Sequence, residues 1–403
     1  MNLIDIIYLL FAVLVIYFTF IFIILFSKNK KEFFEVLKVR HFPSVSVLIP
    51  AHNEESCIKS VIDNLKKLNY PKNKLEIIVI DDGSIDRTAE IAKSAGVRVI
   101  SKKQGGKGSA LNAGLRLARG EIVACIDADS YPRKNSIVES VPYFDDKDVA
   151  AVTTRIFPKN QKRILERFQS VEYAMIAWSR KLFEYVEGVY VTPGPLSFYR
   201  KAVVKSLGGF DEKNMTEDIE IAWRILDNGY KIKMSPAEAY TNVPWKLKKW
   251  WRQRLRWNIG GMQTFFKYRG SMFKKGSRSF GYFIVPFFMI SYVLSLLALS
   301  LFLYLIYLWL FNNAAYFFTA YSVGIDPVKR IAPVFIPDLF TIFGVVIFVF
   351  SIIIVNTGLK SMGHPRNLKT WIYTLLYLVI YITLFPVILV HSIIKYLRGY
   401  REW

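Results

Sequence analysis

Unbroken apolar runs occupy both ends of the chain, and between them lies a block in which hydrophobic and polar residues alternate in short, ordered bursts. From Leu3 to Phe26 the only charged residue is Asp5, and from Tyr282 to Phe311 there is none. Two further charge-free runs follow, Leu339 to Val355 and Trp371 to Ile394. Crossing a bilayer takes about 20 mostly apolar residues, so four spans are expected, the third being short unless it begins near Pro333. No basic region precedes the first run and no small-residue cleavage pattern ends it, so it reads as a retained anchor rather than a signal peptide.

The middle block has a different rhythm. Ser44 to Pro50 reads as a buried strand, and Glu54 to Leu68 carries apolar residues at helical spacing. Leu75 to Ile80 predicts a second strand and Asp86 to Ala95 a second helix. Val97 to Ile100, Gly108 to Ala118 and Glu121 to Ile126 continue the alternation. Strand and helix taken in turn predict an α/β domain with a mainly parallel sheet covered by helices on both faces. Ligands of such sheets bind beyond the carboxyl ends of the strands, and chemistry is sought there.

Charge gives the block a side. Lys28, Lys30 and Lys31 follow the first span, and Lys267, Arg269, Lys274, Lys275 and Arg278 precede the second, so residues 28–281 are expected in the cytosol. Four spans then put both chain ends outside, against the preference of Lys395, Arg398 and Arg401. Either the tail departs from the charge rule or one span is re-entrant, with Asp326 to Pro337 the place to look.

Over the 403 residues, 53% are hydrophobic, and 54 Lys and Arg face 32 Asp and Glu, for a formal charge of +22. So apolar a chain is not disordered, and its length argues against one soluble domain. The cysteines, Cys57 and Cys125, show no disulfide framework or metal-ligand spacing and read as small buried residues in a reducing compartment. The basic excess suits anionic lipid headgroups, and no nucleic-acid partner is expected.

Within this basic chain, acids collect at the strand ends. The first strand runs into His52-Asn53-Glu54, the second into Asp81-Asp82-Gly83-Ser84 and the fourth into Asp127-Ala128-Asp129. Asp127 and Asp129, two apart, can lean to one side and suit Mg²⁺ or Mn²⁺, although Asp-x-Asp is also an ordinary turn. Asp81 and Asp82 could accept hydrogen bonds from a base or ribose, or form a turn with Ser84 capping the next helix. Gly105-Gly106-Lys107-Gly108-Ser109 lacks the spacing of a phosphate loop; Lys107 is either a diphosphate contact or an exposed lysine. Thr216-Glu217-Asp218 opens an apparent helix, which capping alone would explain. Trp250 to Trp257 packs three tryptophans and three arginines into eight positions, as a membrane-interface belt or as a grip on a sugar and a diphosphate.

Taken together, Pro50-x-His52-Asn53-Glu54, Asp81-Asp82-Gly83-Ser84, Asp127-Ala128-Asp129, Thr216-Glu217-Asp218 and Gln253-x-x-Arg256-Trp257 resemble the ordered signatures of membrane-embedded family 2 glycosyltransferases of GT-A fold. The similarity is to the processive branch containing hyaluronan, cellulose, chitin and poly-N-acetylglucosamine synthases, over about residues 44–260. It implies that Asp81 and Asp82 hold the uridine of a UDP-sugar, with His52 and Glu54 lining the same pocket. It implies a metal on Asp129 with Asp127 beside it, Asp218 as general base with Glu217 on the acceptor side, diphosphate contact by Arg256, and acceptor stacking by Trp257 supported by Gln253. Pro193 to Arg200 resembles the family's acceptor-side loop more loosely.

The implied layout is an anchor at residues 1–27, a catalytic domain at 28–244, an amphipathic interfacial segment at 245–281 and a membrane region at 282–403. The implied reaction is inverting transfer to a growing β-linked polysaccharide at the cell membrane, with an accessory secretion subunit as a further partner. Cellulose- and hyaluronan-type enzymes have more spans, which leaves a complete one-chain channel unsupported. The alternative is single transfer to a polyprenyl phosphate or membrane glycolipid. A silent sensor of sugar nucleotides is a third reading, against which the set Asp129, Asp218 and Arg256 weighs.

Overall fold

The computed structural model describes residues 3–30, 33–275, 278–324, 339–365 and 367–400. The expected re-entrant stretch Asp326 to Pro337 lies outside them. An apolar helix, α1 (Leu3–Asn29), leads into β1 (Val45–Ala51), α2 (Ile58–Lys66), β2 (Leu75–Asp81), α3 (Thr88–Ser94), β3 (Arg98–Ser101), α4 (Lys107–Leu117) and β4 (Ile122–Cys125). β3, β2, β1 and β4 pair in parallel in that spatial order, as the alternating rhythm predicts. β1 is central and covered on both faces, which is why its hydrophobic run does not alternate. Its odd residues Val45, Val47 and Ile49 enter one core, and Leu48 joins Ile78 and Ile80 in the other.

Two helix starts differ from expectation. α2 begins four residues after Glu54, because Glu54 and Glu55 give their amides to Thr88 Oγ1 and Asp86 Oδ2 across the cleft edge (2.8 and 3.1 Å). Ser84 does not cap α3; Asp86 Oδ1 does, accepting from the Thr88 amide at 3.0 Å, while Ser84 Oγ accepts from the Asn53 amide.

The second half of the sheet adds antiparallel pairs, while four of the seven strand pairings remain parallel, as expected of a mainly parallel sheet. β5 (Ser130–Pro132), β6 (Val149–Pro158), α5 (Ile164–Glu184), β7 (Ser197–Arg200), α6 (Lys201–Ser206), α7 (Glu217–Asp227) and β8 (Lys231–Thr241) follow. The eight-stranded order is β3-β2-β1-β4-β7-β6-β8-β5, with β7 antiparallel to β4 and β6, β8 parallel to β6, and β5 antiparallel to β8. β7 enters the sheet between β4 and β6 and runs opposite to both, so β4 and β6 share a direction without being neighbours.

After α8 (Leu247–Tyr268) come α9 (Val285–Ser322), α10 (Leu339–Ser361) and α11 (Leu368–Leu397). Among the described residues four helices are long and apolar enough to cross a membrane: Asp5–Asn29, Phe280–Ser322, Ile342–Ser361 and Leu368–Leu397. They dock onto the sheet domain through α5 and α8. Trp178 of α5 meets Phe22 and Phe26 of α1, and α10 approaches α5 at Gly358, where a Cβ would stand 2.7 Å from the Met175 sulfur and displace the end of that side chain.

At the centre of this docking, Glu172 of α5 is fully buried and accepts two hydrogen bonds from the Arg254 guanidinium of α8, the Nε one at 2.6 Å, and a third from Tyr381 Oη of α11 at 2.5 Å. Breaking a buried pair from one side leaves a charge without compensation, at a cost of about 3–5 kcal/mol. Arg254→Met is therefore expected to lower the thermal unfolding temperature of detergent-solubilised protein clearly, and Glu172→Gln added to it to recover much of the loss. A single variant as stable as the double one would show that the pair does not hold these helices.

Candidate active site

β1, β2 and β4 end together at the rim of a cleft of about 810 Å³, within the range of small-ligand sites. Asp127 and Asp129 are carried there by the end of β4, and Asp218 by the first turn of α7. Gln253, Arg256 and Trp257 arrive on one face of α8. His52, Glu54, Asp82 and Lys107 complete the opposite part of the lining. Asp81 and Glu217 stand behind this wall and not in it. Asp81 is turned into the β2–α3 loop, where its Oδ1 accepts from the Ser84 amide at 3.0 Å. Glu217 is buried beneath Lys107.

Asp82 spends its carboxylate on the loop that follows β3. It accepts from the amides of Gly105 (3.0 Å) and Gly106 (2.7 Å) and from Lys102 Nζ (2.7 Å). Gly106, at φ +85°, turns the chain into α4, so Lys107 is delivered to the cleft at the head of that helix. Its ammonium lies 2.6 Å from Asp127 Oδ1 and 3.0 Å from Glu217 Oε1. Burial works against the charge on Lys107, but Asp127, Glu217 and Asp218 outweigh it and hold the ammonium protonated. Gly194 is pressed against this bridge, since a Cβ there would fall 2.3 Å from Lys107 Nζ.

Two carboxyls are left without a bound cation partner of that kind. Burial, then the neighbouring charge of Asp127, pushes Asp129 up to about 6. Its Oδ1 accepts only from the hydroxyls of Thr241 (3.2 Å) and Ser130 (3.3 Å). Asp218 is likewise raised to about 6 by burial and by Glu217, with Lys107 and Arg256 opposing. Among the described residues no three His, Cys, Asp or Glu gather closely enough to hold a metal alone. A hard divalent ion needs only one or two carboxylates when substrate phosphates fill other positions, and Asp129, which has no cation partner, with the Lys107-paired Asp127 beside it, fits that chemistry.

On the other side Trp257 faces Tyr173 of α5 with ring centroids 6.3 Å apart, and the Arg254 guanidinium sits 4.2 Å over its ring. Gln253 accepts from Arg254 Nη1 at 2.6 Å. Tyr173, Arg180, Thr192 and Gln104 were not singled out by sequence. Thr192 donates its hydroxyl to the Asp218 carbonyl at 2.9 Å. Only the spacing Tyr173, Ile176, Arg180 carried a signal, a single helical face. Cys125 is buried as expected, whereas Cys57 is only half-buried; burial pushes the Cys57 thiol up to about 12, and Cys125 higher still.

Residues 46–208 match the family model described as glycosyl transferase family 2. The chain carries a family 2 glycosyltransferase domain. It is 34% identical over 266 residues to a probable glycosyltransferase, YdaM, of Bacillus subtilis (strain 168). It is 32% identical over 260 residues to poly-beta-1,6-N-acetyl-D-glucosamine synthase of Staphylococcus aureus. Each alignment covers 62% of this chain, and the chain spans 62% of the length of these relatives. In structure it resembles the mannosyltransferase PcManGT of Pyrobaculum calidifontis, solved with GDP-Man and Mn²⁺, with a TM-score of 0.55 and 20% identity over 96% of this chain and 98% of that one. The family 2 domain thus has a GT-A-like mixed sheet joined to apolar helices, and the residues that line its cleft come from inside the matched segment and from beyond its C-terminal end.

α8 also makes a close contact with the start of α7. A Cβ on Gly260 would fall 2.1 Å from Thr216 Oγ1, directly before Glu217 and Asp218. Gly260→Ala must push α8 away from α7, and overpacking of this kind costs about 1–3 kcal/mol. The expected result is a folded protein with a clearly lower thermal unfolding temperature. An unchanged unfolding temperature would remove Gly260 from the support of the cleft.

Proposed function

We propose that the chain is an inverting glycosyltransferase that moves a hexose from a UDP-sugar to the end of a growing β-linked polysaccharide. The observation that carries this reading is the convergence of Asp127, Asp129, Asp218, Arg256 and Trp257 on one cleft, from segments up to 130 residues apart in the chain. The likeness in sequence to a poly-N-acetylglucosamine synthase supports the polymer product. The basic flanks Lys28, Lys30, Lys267 and Arg269 support a cytosolic cleft beside a multi-pass membrane region.

In this reading Asp129 and Asp127 hold Mg²⁺ or Mn²⁺, which when bound would neutralise charge on the leaving diphosphate. Arg256, exposed at the cleft edge, offers a second cation to the same oxygens. His52 and Asp82 lie on the nucleotide side, where Asp82 acts through the loop it holds. Trp257 gives the acceptor sugar a flat apolar face, with Arg254 and Tyr173 fixing its ring. Asp218 takes the proton of the attacking hydroxyl, and a base on the face opposite the diphosphate produces inversion. Lys107 contributes by keeping Asp218 ionisable among its acidic neighbours.

A raised carboxyl sets the pH dependence. Asp218 is the working base only when ionised, so activity is present above about 6 and is lost as the pH falls through that value; Asp129, raised as far, loses cation affinity over the same window. The acidic limb of kcat/KM is expected near 6 instead of near the ~4 of ordinary carboxylates. Asp218→Asn should retain UDP binding and lose transfer by about 10² to 10⁴. Near-normal turnover in that variant would refute the role given to Asp218.

Product length is the second test. Membranes supplied with radiolabelled UDP-sugars and Mg²⁺ or Mn²⁺ are expected to make material that grows with time and resists passage through a small-pore gel. Label confined to a single sugar on a lipid would replace the polymer reading with single transfer.

A further inference from the structure

Lys395, Arg398 and Arg401 favour the cytosolic side of a membrane, yet four spans would carry them across it. The conflict is resolved at α11. Of the four apolar helices it is the most buried, packed on α8 and α5. Arg167 Nη1 donates to Tyr373 Oη at 3.3 Å, Tyr381 Oη to Glu172 at 2.5 Å, and Trp251 Nε1 to His391 Nδ1 at 3.1 Å. Further along, Tyr396 stacks on Phe266 with ring centroids 5.6 Å apart. From Tyr373 to Tyr396 a helix rises about 35 Å, more than the hydrocarbon thickness of a bilayer, and over that distance a span would have left the sheet domain. α8 cannot follow α11 into lipid. It exposes Lys248, Lys249 and Arg252, carries Gln253 and Trp257 into the cleft, and pairs Lys267 with Asp211 and Glu220.

The other three apolar helices are arranged differently. α1 and α10 run side by side in one direction, Tyr8 beside Gly344 and Phe20 beside Phe350, and their last turns meet Trp178 of α5. α9 starts on the sheet domain, with Phe287 against Phe183 and Tyr292 against Phe265, and then leaves it; Leu303, Tyr307, Trp309 and Phe318 are more than half exposed. Leu378 of α11 clusters with Val355 and Leu359 of α10, and Ile393 and Tyr396 cluster with Tyr292 of α9, which are the domain-side ends of both helices. α11 therefore lies across the end of the bundle. Its outward face is apolar, with Ile372, Leu375, Val379, Val387 and Ile394 exposed along one helical stripe.

We propose that α11 is a surface helix lying in the membrane plane at the cytosolic boundary, its outward face in lipid and its inner face on α8 and α5. The chain then crosses the bilayer three times, through α1, α9 and α10. Three crossings return Lys395 and Arg398 to the side of the cleft, as the charge rule requires. The inference rests on those three helices crossing a bilayer, and it is independent of which sugar is transferred.

Two exposed positions test the crossing number. The full chain would be made in a bacterial host as Arg398→Cys, just past α11, and as Tyr321→Cys, at the far end of α9. Each would be treated with a membrane-impermeant maleimide in intact spheroplasts and in inverted vesicles, with the parent, which keeps Cys57 and Cys125, as background. Tyr321→Cys is expected to label in spheroplasts. Arg398→Cys is expected to exceed the parent in inverted vesicles and to match it in spheroplasts. Labelling of Arg398→Cys in intact spheroplasts would overturn the proposal, because α11 would then span. Failure of Tyr321→Cys to label there would remove the crossing by α9, and the inference would fall with the multi-pass reading. Lipid contact is read separately from Val379→Cys carrying a fluorophore in nanodiscs. Lipid brominated near the headgroup is expected to cause a larger loss of fluorescence than lipid brominated near the chain ends. The reverse order, which a residue in mid-span would give, or no loss with either lipid, would overturn the proposal.

Discussion

The cleft is organised around one ammonium group. Asp127, Glu217 and Asp218 reach the same small volume from a strand end and a helix start, and in a partly desolvated site so many carboxylates cannot all be ionised without a cation among them. Lys107 is that cation. Its placement depends on a chain of local causes: Asp82 at the end of β2 holds the Gly105 and Gly106 amides, Gly106 takes the left-handed turn, and α4 starts with Lys107 aimed at Asp127 and Glu217. Because the ammonium is already matched by two carboxylates, it leaves Asp129 and Asp218 with elevated proton affinity. One of these is suited to a divalent ion and the other to a proton, so a single bridge separates two tasks among otherwise similar acids.

The first half of the sheet was legible because each strand there is a continuous buried run and each helix shows its apolar stripe. Ile58, Val61, Ile62 and Leu65 of α2 are an example. The mixed half was not. β7 has four residues and β5 three, too short for a period to declare itself, and their partners are set by which strand edge remains open. Helix starts were displaced for a related reason. The amides of Glu54 and Glu55 found side-chain acceptors in a loop 31 to 34 residues later, which no local pattern encodes.

The acids of the site were visible as residues at strand ends, but their division of labour was not. Asp81 and Asp82 are adjacent and identical in chemistry, yet one closes a turn and the other anchors the Gly105 loop. Lys107, read as an exposed lysine or a diphosphate contact, stands between carboxylates. The Trp and Arg cluster at 250–257 was open between a belt and a binding site, and its faces divide: Trp250 and Arg254 are buried against α5, Lys248, Lys249 and Arg252 are exposed, and Arg256 and Trp257 line the cleft. Glu172 was invisible altogether. A lone acid in a helical stripe gives no hint of a partner 82 residues away.

That hidden pair explains how apolar helices bear on the chemistry. Glu172 receives Arg254 from α8 and Tyr381 from α11, and Arg254 in turn covers the Trp257 ring and holds the Gln253 carbonyl. Phe168 extends the contact, packing with Trp250, Tyr377 and Tyr381. A shift of α11 relative to α5 therefore cannot leave Trp257 where it is, because the only buried carboxylate that fixes Arg254 among the described residues is shared with Tyr381. The Trp257 side of the cleft is built on the apolar helices and the His52 and Asp82 side on the parallel strands. Gly260 against Thr216 brings α8 onto the start of α7, one residue before its carboxylates. A cleft divided in this way has one wall set by the sheet and the other by how the apolar helices pack on α5 and α8.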